Sequence, residues 1–280
     1  MDLTKKQIKT VIDVCINHLI REGEVKNVHI TRRMINSYMF KKEGTVKTLS
    51  EVYGQLVGSL QNRNRMTEVI KLYRGLDDKF LLGYNHNKIL KRYKTSIKRI
   101  RLAAKKHNPD VKTSGVLWNI FAKGVIDSSI WMLQFKNFDS FKKYLKPFEK
   151  EGITGLFLLV SSLSDGRITG MGPALAFDFI KGLGLKISKQ CAKPDTHIKN
   201  TIMALGLCKR SSDGYEVVSL LSAMAKKVGV STYDLDRLIW LSNSGLFYQH
   251  DIRLWSTTQT VKHRSAIVRE IKKKWNIKHS

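Results

Sequence analysis

The sequence predicts an all-α protein, and two observations carry that reading. Apolar residues recur at the 3.6-residue period of a helix in segment after segment, and runs of strict apolar/polar alternation are nearly absent; Val25, Val28 and Ile30 do not make a strand. The 280 residues include 42% hydrophobic and 9% aromatic side chains, enough for a packed core, while only 4 Pro and 19 Gly exclude collagenous or low-complexity character. That length allows one large domain or two packed lobes. No internal repeat of roughly 30 to 45 residues is present, which argues against a helical solenoid.

Ile8, Val11, Ile12, Cys15, Ile16 and Leu19 fall on one face of a first helix. Leu49, Val52, Tyr53, Leu56, Val57 and Leu60 repeat the template, and Leu90, Tyr93, Ile97 and Ile100 give a looser version of it. The spacing predicts further helices over 113–132, 137–147, 153–164, 173–182, 196–205, 215–228, 232–242 and 260–275, with Gly, Pro, Asp or Ser in most of the gaps.

Charge narrows the function classes. Fifty Lys and Arg stand against 23 Asp and Glu, a formal +27, which is self-repelling in a compact fold and points to a polyanionic partner. Residues 1–110 carry 24 basic and 10 acidic groups and the remainder 26 and 13, so the charge belongs to the whole surface. Segment 88–106 holds nine cations and no acid on a helical apolar stripe, so one helix can bury one face and offer the other to phosphates. A second basic cluster, Lys262, Arg264, Arg269, Lys272, Lys273, Lys274 and Lys278, lies in the C-terminal region, where fraying is common. No window is long and apolar enough to span a membrane, so nucleic acid outranks an anionic lipid surface. Cys15, Cys191 and Cys208 are too few and too far apart for a disulfide framework or a CxxC-type metal site. The expectation is a cytoplasmic, nucleoid-associated monomer with no metal and no cofactor.

The chemistry concentrates between 166 and 200. Ile168, Gly170-Met171-Gly172-Pro173 and Ala176 make a tight Gly-rich turn running into a helix, with Pro173 at the first helical position, where its missing N–H costs nothing. Backbone N–H groups at such a start form a concavity for a phosphate. Leu156, Leu158, Leu159, Val160 and Leu163 supply a preceding helix, and Asp195 follows Gly172 by 23 residues within Pro194-Asp195-Thr196-His197-Ile198.

That combination resembles the helix-hairpin-helix, Gly/Pro-rich, catalytic-Asp superfamily of DNA glycosylases, relatives of endonuclease III and the alkyladenine glycosylases. The resemblance covers about 40 residues closely, with weaker echoes at Val52–Gln61 and at Asp234–Trp240. It implies a two-lobed helical fold. Residues 49–187 would form a six-helix barrel-like lobe with the hairpin at about 153–183, residues 1–48 with 188–280 would form the terminal lobe, and the active site would lie in a cleft between them.

It further implies a monomeric enzyme on double-stranded DNA that flips a modified base out of the stack and hydrolyses its N-glycosidic bond. Asp195 would be the catalytic carboxylate. Gly170, Met171, Gly172 and Ala174 would hold the DNA backbone, with Lys193 and His197 as further DNA-binding residues beside the catalytic Asp. Gln61, Arg63 and Asn64 would sit near the gap left by the extruded base. Members with added lyase activity carry a nucleophilic Lys two residues after the second hairpin glycine; Ala174 stands there, which implies hydrolysis alone unless Lys181, Lys186 or Lys193 substitutes. The closely spaced four-cysteine loop of some relatives is missing, so no iron–sulfur cluster is implied. Trp118, Trp131, Tyr84, His86, Trp240 and Phe247 are candidate walls of a base pocket, each also a natural core residue. Alkylated purines, oxidised guanine, deaminated bases and the enlarged cytosines of phage genomes all remain open as substrates, in repair or in defence against phage. The alternative is a non-catalytic DNA-binding protein that uses the hairpin only as a clamp.

Overall fold

The computed structural model describes residues 3–39, 46–62, 77–107, 109, 115–210 and 212–276. Those residues are predominantly helical. In chain order the helices are α1 (Lys5–Val25), α2 (Arg32–Met39), α3 (Leu49–Gln61), α4 (Asp77–Phe80), α5 (His86–Tyr93), α6 (Ile97–His107), α7 (Val116–Met132), α8 (Phe138–Lys150), α9 (Gly152–Ser164), α10 (Pro173–Gly182), α11 (Thr196–Ala204), α12 (Gly214–Val228), α13 (Thr232–Ser244) and α14 (Thr260–Lys274). One antiparallel ladder joins β1 (Leu246–Phe247) to β2 (Ile252–Arg253), pairing Leu246 with Arg253 and Phe247 with Ile252. The chain divides into two compact units, Glu43–Ser188 and a second made of Met1–Lys42 with Lys189–Ser280.

The unit Glu43–Ser188 is built around α7. This helix is apolar on nearly every side, and a helix of that kind belongs in a core; Trp118, Phe121, Val125, Ile126, Trp131 and Met132 are all buried. α3 packs along it, and the Tyr53 hydroxyl lies 3.1 Å from the Val125 carbonyl and 2.8 Å from Ser129 Oγ. Edge-to-face contacts join Trp131 to Phe135, Phe141, Tyr144 and Phe179, which ties α7 and α8 to α10. Between α8 and α9 the chain reverses so tightly that a β-carbon at Gly155 would stand 2.0 Å from the Phe148 carbonyl oxygen.

The expected helix across 88–106 is broken in two. Lys94 takes a left-handed φ of 54°, and Ser96 opens α6, its Oγ accepting from the Arg99 N–H at 3.4 Å. A serine competing for backbone N–H groups favours a helix start over a helix interior, which accounts for the break. Both halves keep an apolar stripe inside, through Ile89 and Tyr93 in α5 and Ile100 and Ala104 in α6. The cations Lys88, Lys91, Arg92, Lys98, Arg99, Lys105 and Lys106 remain exposed.

In the other unit α13 is the hub, packing against α1, α2, α11, α12 and α14. A Ser231–Asp234 capping box starts it, and Gly245, at φ 60°, ends it; a β-carbon there would lie 2.6 Å from the Trp255 ring. Trp275 Nε1, just after α14, donates to the Gln7 carbonyl of α1 at 3.1 Å, and α14 packs along α1, so α14 is docked where the sequence suggested fraying; Lys227 Nζ of α12 donates to the Leu3 carbonyl at 2.9 Å. Between α1 and α14 lie two buried histidines, His18 Nε2 facing His263 Nδ1 at 3.1 Å, with Trp255 stacked 4.0 Å from His263.

Arg21 approaches His18 Nδ1 at 3.1 Å. A guanidinium only donates, so Nδ1 accepts and the His18 proton sits on Nε2, donated to His263. Desolvation pushes the His18 pKa down from 6.5 to about 4, against a smaller upward pull from Glu22 and smaller downward pushes from His263 and Arg21. Burial lowers His263 as well. The unfolded chain therefore binds the His18 proton before the native state does, and the contribution to stability is complete above pH 6.5 and is lost as the pH falls toward 4. The expected loss for this residue is up to about 3 kcal/mol. Urea unfolding across that pH range checks it: His18→Gln should flatten the slope, and an equally steep slope in the variant would remove His18 as its source.

Candidate nucleic-acid interface and catalytic carboxylate

α9 ends at Ser164, a turn runs from Asp165 to Gly172, and α10 begins at Pro173. The turn is tight because Gly166 and Gly170 take positive φ, 94° and 86°, which a β-carbon disfavours. Ile168 and Met171 are buried and anchor it, the Met171 N–H donating to the Ile168 carbonyl at 3.0 Å. Met171 therefore fixes the turn from within, with its side chain buried and its N–H engaged.

Other groups of the turn do face outward. Among the described residues, no acceptor lies on the N–H groups of Gly170, Gly172 and Ala174. Leu175 and Ala176 N–H both donate to the Gly172 carbonyl at 3.0 Å, closing the first turn of α10. A β-carbon at Gly172 would meet nothing within 4 Å, and its φ of −92° suits any residue, so internal packing does not require glycine there. An open groove of about 430 Å³ runs along residues 166 and 168–175. Its outward N–H groups at a helix start offer an anion both hydrogen bonds and the positive end of the helix dipole.

The turn is held from beneath by α7. Asp127, buried, accepts from the Thr169 N–H at 3.1 Å through Oδ2 and pairs through Oδ1 with Lys123 one helical turn earlier. Gly124 completes the seat: a β-carbon there would lie 2.6 Å from the Thr169 carbonyl. Sequence reasoning passed over both residues, since nothing in the spacing of α7 links position 127 to a turn 42 residues away.

At the end of α3, Asn62 Nδ2 donates to Asp178 Oδ2 of α10 at 2.8 Å. Gln61 is half-buried, and its Nε2 is closed off from solvent with no hydrogen-bond partner among the described residues. Its amide nitrogen is thus not presented outward. Arg63 and Asn64 lie outside the described residues.

Asp195 belongs to the other unit, where it caps α11, its Oδ1 accepting from the Ile198 N–H at 3.0 Å. Oδ2 has no partner among the described residues. The approach to Asp195 is built like the turn before α10, with a buried aspartate on a central helix: Asp236 of α13 accepts the Lys193 N–H at 3.2 Å. Pro194 packs against Gly214, whose β-carbon would fall 2.9 Å from Pro194 Cγ. His197 stands in the first turn of α11, half-buried, its carbonyl accepting from Thr201 Oγ1 at 2.8 Å. Asn243 ties the same Thr201 to α13 and accepts through its carbonyl from Trp255 Nε1.

Of the candidate pocket walls, Trp118, Trp131, His86 and Phe247 are core residues; Tyr84 and Trp240 are half-buried. Arg237 lies over the rings of Tyr233, Trp240 and Tyr248. No helix among the described residues is long and apolar enough to cross a membrane. No family model matches the chain, nor does any curated protein or solved structure.

The seat beneath the turn is testable by itself. Asp127→Ala should cost about 1–3 kcal/mol by leaving the Thr169 N–H unpaired in a partly buried site, and Asp127→Asn, which keeps an acceptor, should cost less. Amide hydrogen exchange should quicken at Thr169 and Met171, the hydrogen-bonded amides of the turn, in the alanine variant while α8 keeps its protection.

Proposed function

We propose that the chain is a monofunctional DNA N-glycosylase, with α9, the glycine turn and α10 as its helix-hairpin-helix and the two compact units as the two lobes of that fold. The observation that carries the DNA reading is the turn itself, with three outward N–H groups and an unfilled position at Gly172. A phosphate approaching that site meets no side chain at Gly172, and a contact to backbone donors is blind to base identity. The exposed cations of α5 and α6, within a total charge of +27, supply the long-range attraction.

Asp195 supplies the chemistry in this reading. As the C1′–N bond breaks, its electrons leave with the base, the sugar passes through an oxocarbenium-like state, and a carboxylate nearby stabilises the charge. Water then adds its oxygen to C1′, and the proton it gives up ends on the departed base, leaving a neutral free base and an abasic site. Oδ1 is engaged by the cap, which holds the carboxylate still, and Oδ2 is the oxygen left for the sugar or the water. The base must first leave the stack, which is easiest for a modified or mispaired one. The engaged Oδ1 also suits the second reading, a purely structural Asp in a DNA-binding protein without activity.

One experiment separates the two. Free bases released from methylated, oxidised, deaminated and phage-modified DNA are identified by mass spectrometry, with wild type beside Asp195→Asn. Asn caps helices as well as Asp does, so the variant keeps the fold and loses only the charge. Release of one base class, reduced at least about 100-fold in the variant, supports the glycosylase. Salt-sensitive binding by both proteins with no release from any DNA selects the clamp.

Gly172→Val tests the hairpin. Its side chain has open space, so stability should change by no more than about 0.5 kcal/mol. Affinity should fall about tenfold or more, equally for unrelated duplexes, the cost of losing a hydrogen bond to a charged phosphate. A sequence-selective loss would contradict backbone recognition.

A further inference from the structure

We infer that His18, Glu22 and His263 form a zinc-class metal site clamping α1 to α14. The site is separate from the turn and from Asp195, and it is one that the cysteine arithmetic of the sequence gave no reason to expect. One nitrogen from each histidine and one Glu22 oxygen lie within 4.8 Å of one another. Zinc bonds of about 2.0–2.2 Å at a tetrahedral angle place donor atoms roughly 3.3 Å apart. Here His18 Nε2 stands 3.1 Å from His263 Nδ1, and that nitrogen stands 3.9 Å from Glu22 Oε2.

His18 and Glu22 sit one helical turn apart on the same face of α1, and His263 comes from α14, so an ion held by all three bonds the first helix to the last. The wall is Trp255, stacked on His263 and edge-on to His18 at 5.7 Å. Glu22 and Arg21 both reach solvent and supply the freedom to close on an ion and to admit a water as fourth ligand.

The donor set selects the metal. Two imidazoles with a single carboxylate, beside the cations Arg21, Lys26 and Lys262, suit zinc and its transition-metal neighbours and not calcium or magnesium, which need several oxygens. Binding moves one proton, from His18 Nε2 to Nδ1, and leaves both rings neutral. The Arg21 guanidinium now against Nδ1 must then swing away, which its exposed side chain and its contact with Glu270 at 3.7 Å allow. Arg21 thus opposes the metal.

The test uses the untagged full chain, stripped with a chelator, and zinc itself, followed by native mass spectrometry and thermal unfolding. One zinc per chain should be retained in excess magnesium, with a Tm that rises with zinc concentration. Glu22→Gln, at a position that tolerates polar change, should lower the affinity at least about tenfold, and Arg21→Ala should raise it about tenfold. Cobalt should give the absorption of a tetrahedral nitrogen and oxygen site in wild type and lose it in His263→Gln. Retention of no zinc, or equal retention by wild type, Glu22→Gln and His263→Gln, would overturn the site. The glutamine variant at Glu22 with an unchanged circular dichroism spectrum keeps the result clear of misfolding.

Discussion

A net charge of +27 on 280 residues is the constraint that the rest of the molecule answers to. Like charges on a compact surface repel, so the fold has to be held by apolar packing that works without help from surface ion pairs, which are worth little each. Both units show that solution. One is organised around an apolar helix buried nearly all round, α7, and the other around α13, which carries the packing of five neighbours. Cations are then left on the outer faces, as in α5 and α6, where few acids neutralise them. Any polyanion that covered those faces would also remove the repulsion.

Where acids are scarce, their placement is informative. Asp127 and Asp236 are among the few buried carboxylates, and each accepts a backbone N–H from a loop that precedes a helix start. In one case the loop runs on to Gly170 and Gly172, in the other to Asp195. A buried carboxylate has to be fully hydrogen-bonded, so such a pairing tolerates few alternative loop conformations. Precise loops resting on rigid helices are what backbone recognition and a positioned carboxylate both need. The same economy appears in the turn, where Ile168 and Met171 are buried and the N–H groups of Gly170 and Gly172 have no acceptor among the described residues.

The helical period made most of the fold legible, because amphipathic segments such as 8–19 and 49–60 state their buried face locally. The break at Lys94 was not legible. An apolar stripe continues across it, and only the serine's competition for backbone hydrogen bonds ends one helix and starts another. α2 also escaped notice, its polar residues hiding Ile35, Tyr38 and Met39, and the short ladder after α13 is too brief to show alternation. The candidate site divides in the same way. Gly170, Gly172 and Asp195 could be read from chain order, since turn chemistry and capping are local. Asp127 and Asp236 could not, because their role depends on which loop the packing lays over them.

The histidine cluster marks where local reading stops. The four-residue spacing of His18 and Glu22 is visible on α1, yet by itself it describes a helix face and nothing more. Its third member lies 245 residues away, and only the docking of the last helix against the first brings it within hydrogen-bond distance. Burial does the remaining work: it strips the imidazoles of water, favours their neutral form and so leaves a nitrogen lone pair where an exposed histidine would offer a solvated and partly protonated one. A unit built from two segments far apart in sequence gains from a bond between them, because such a bond closes a long loop.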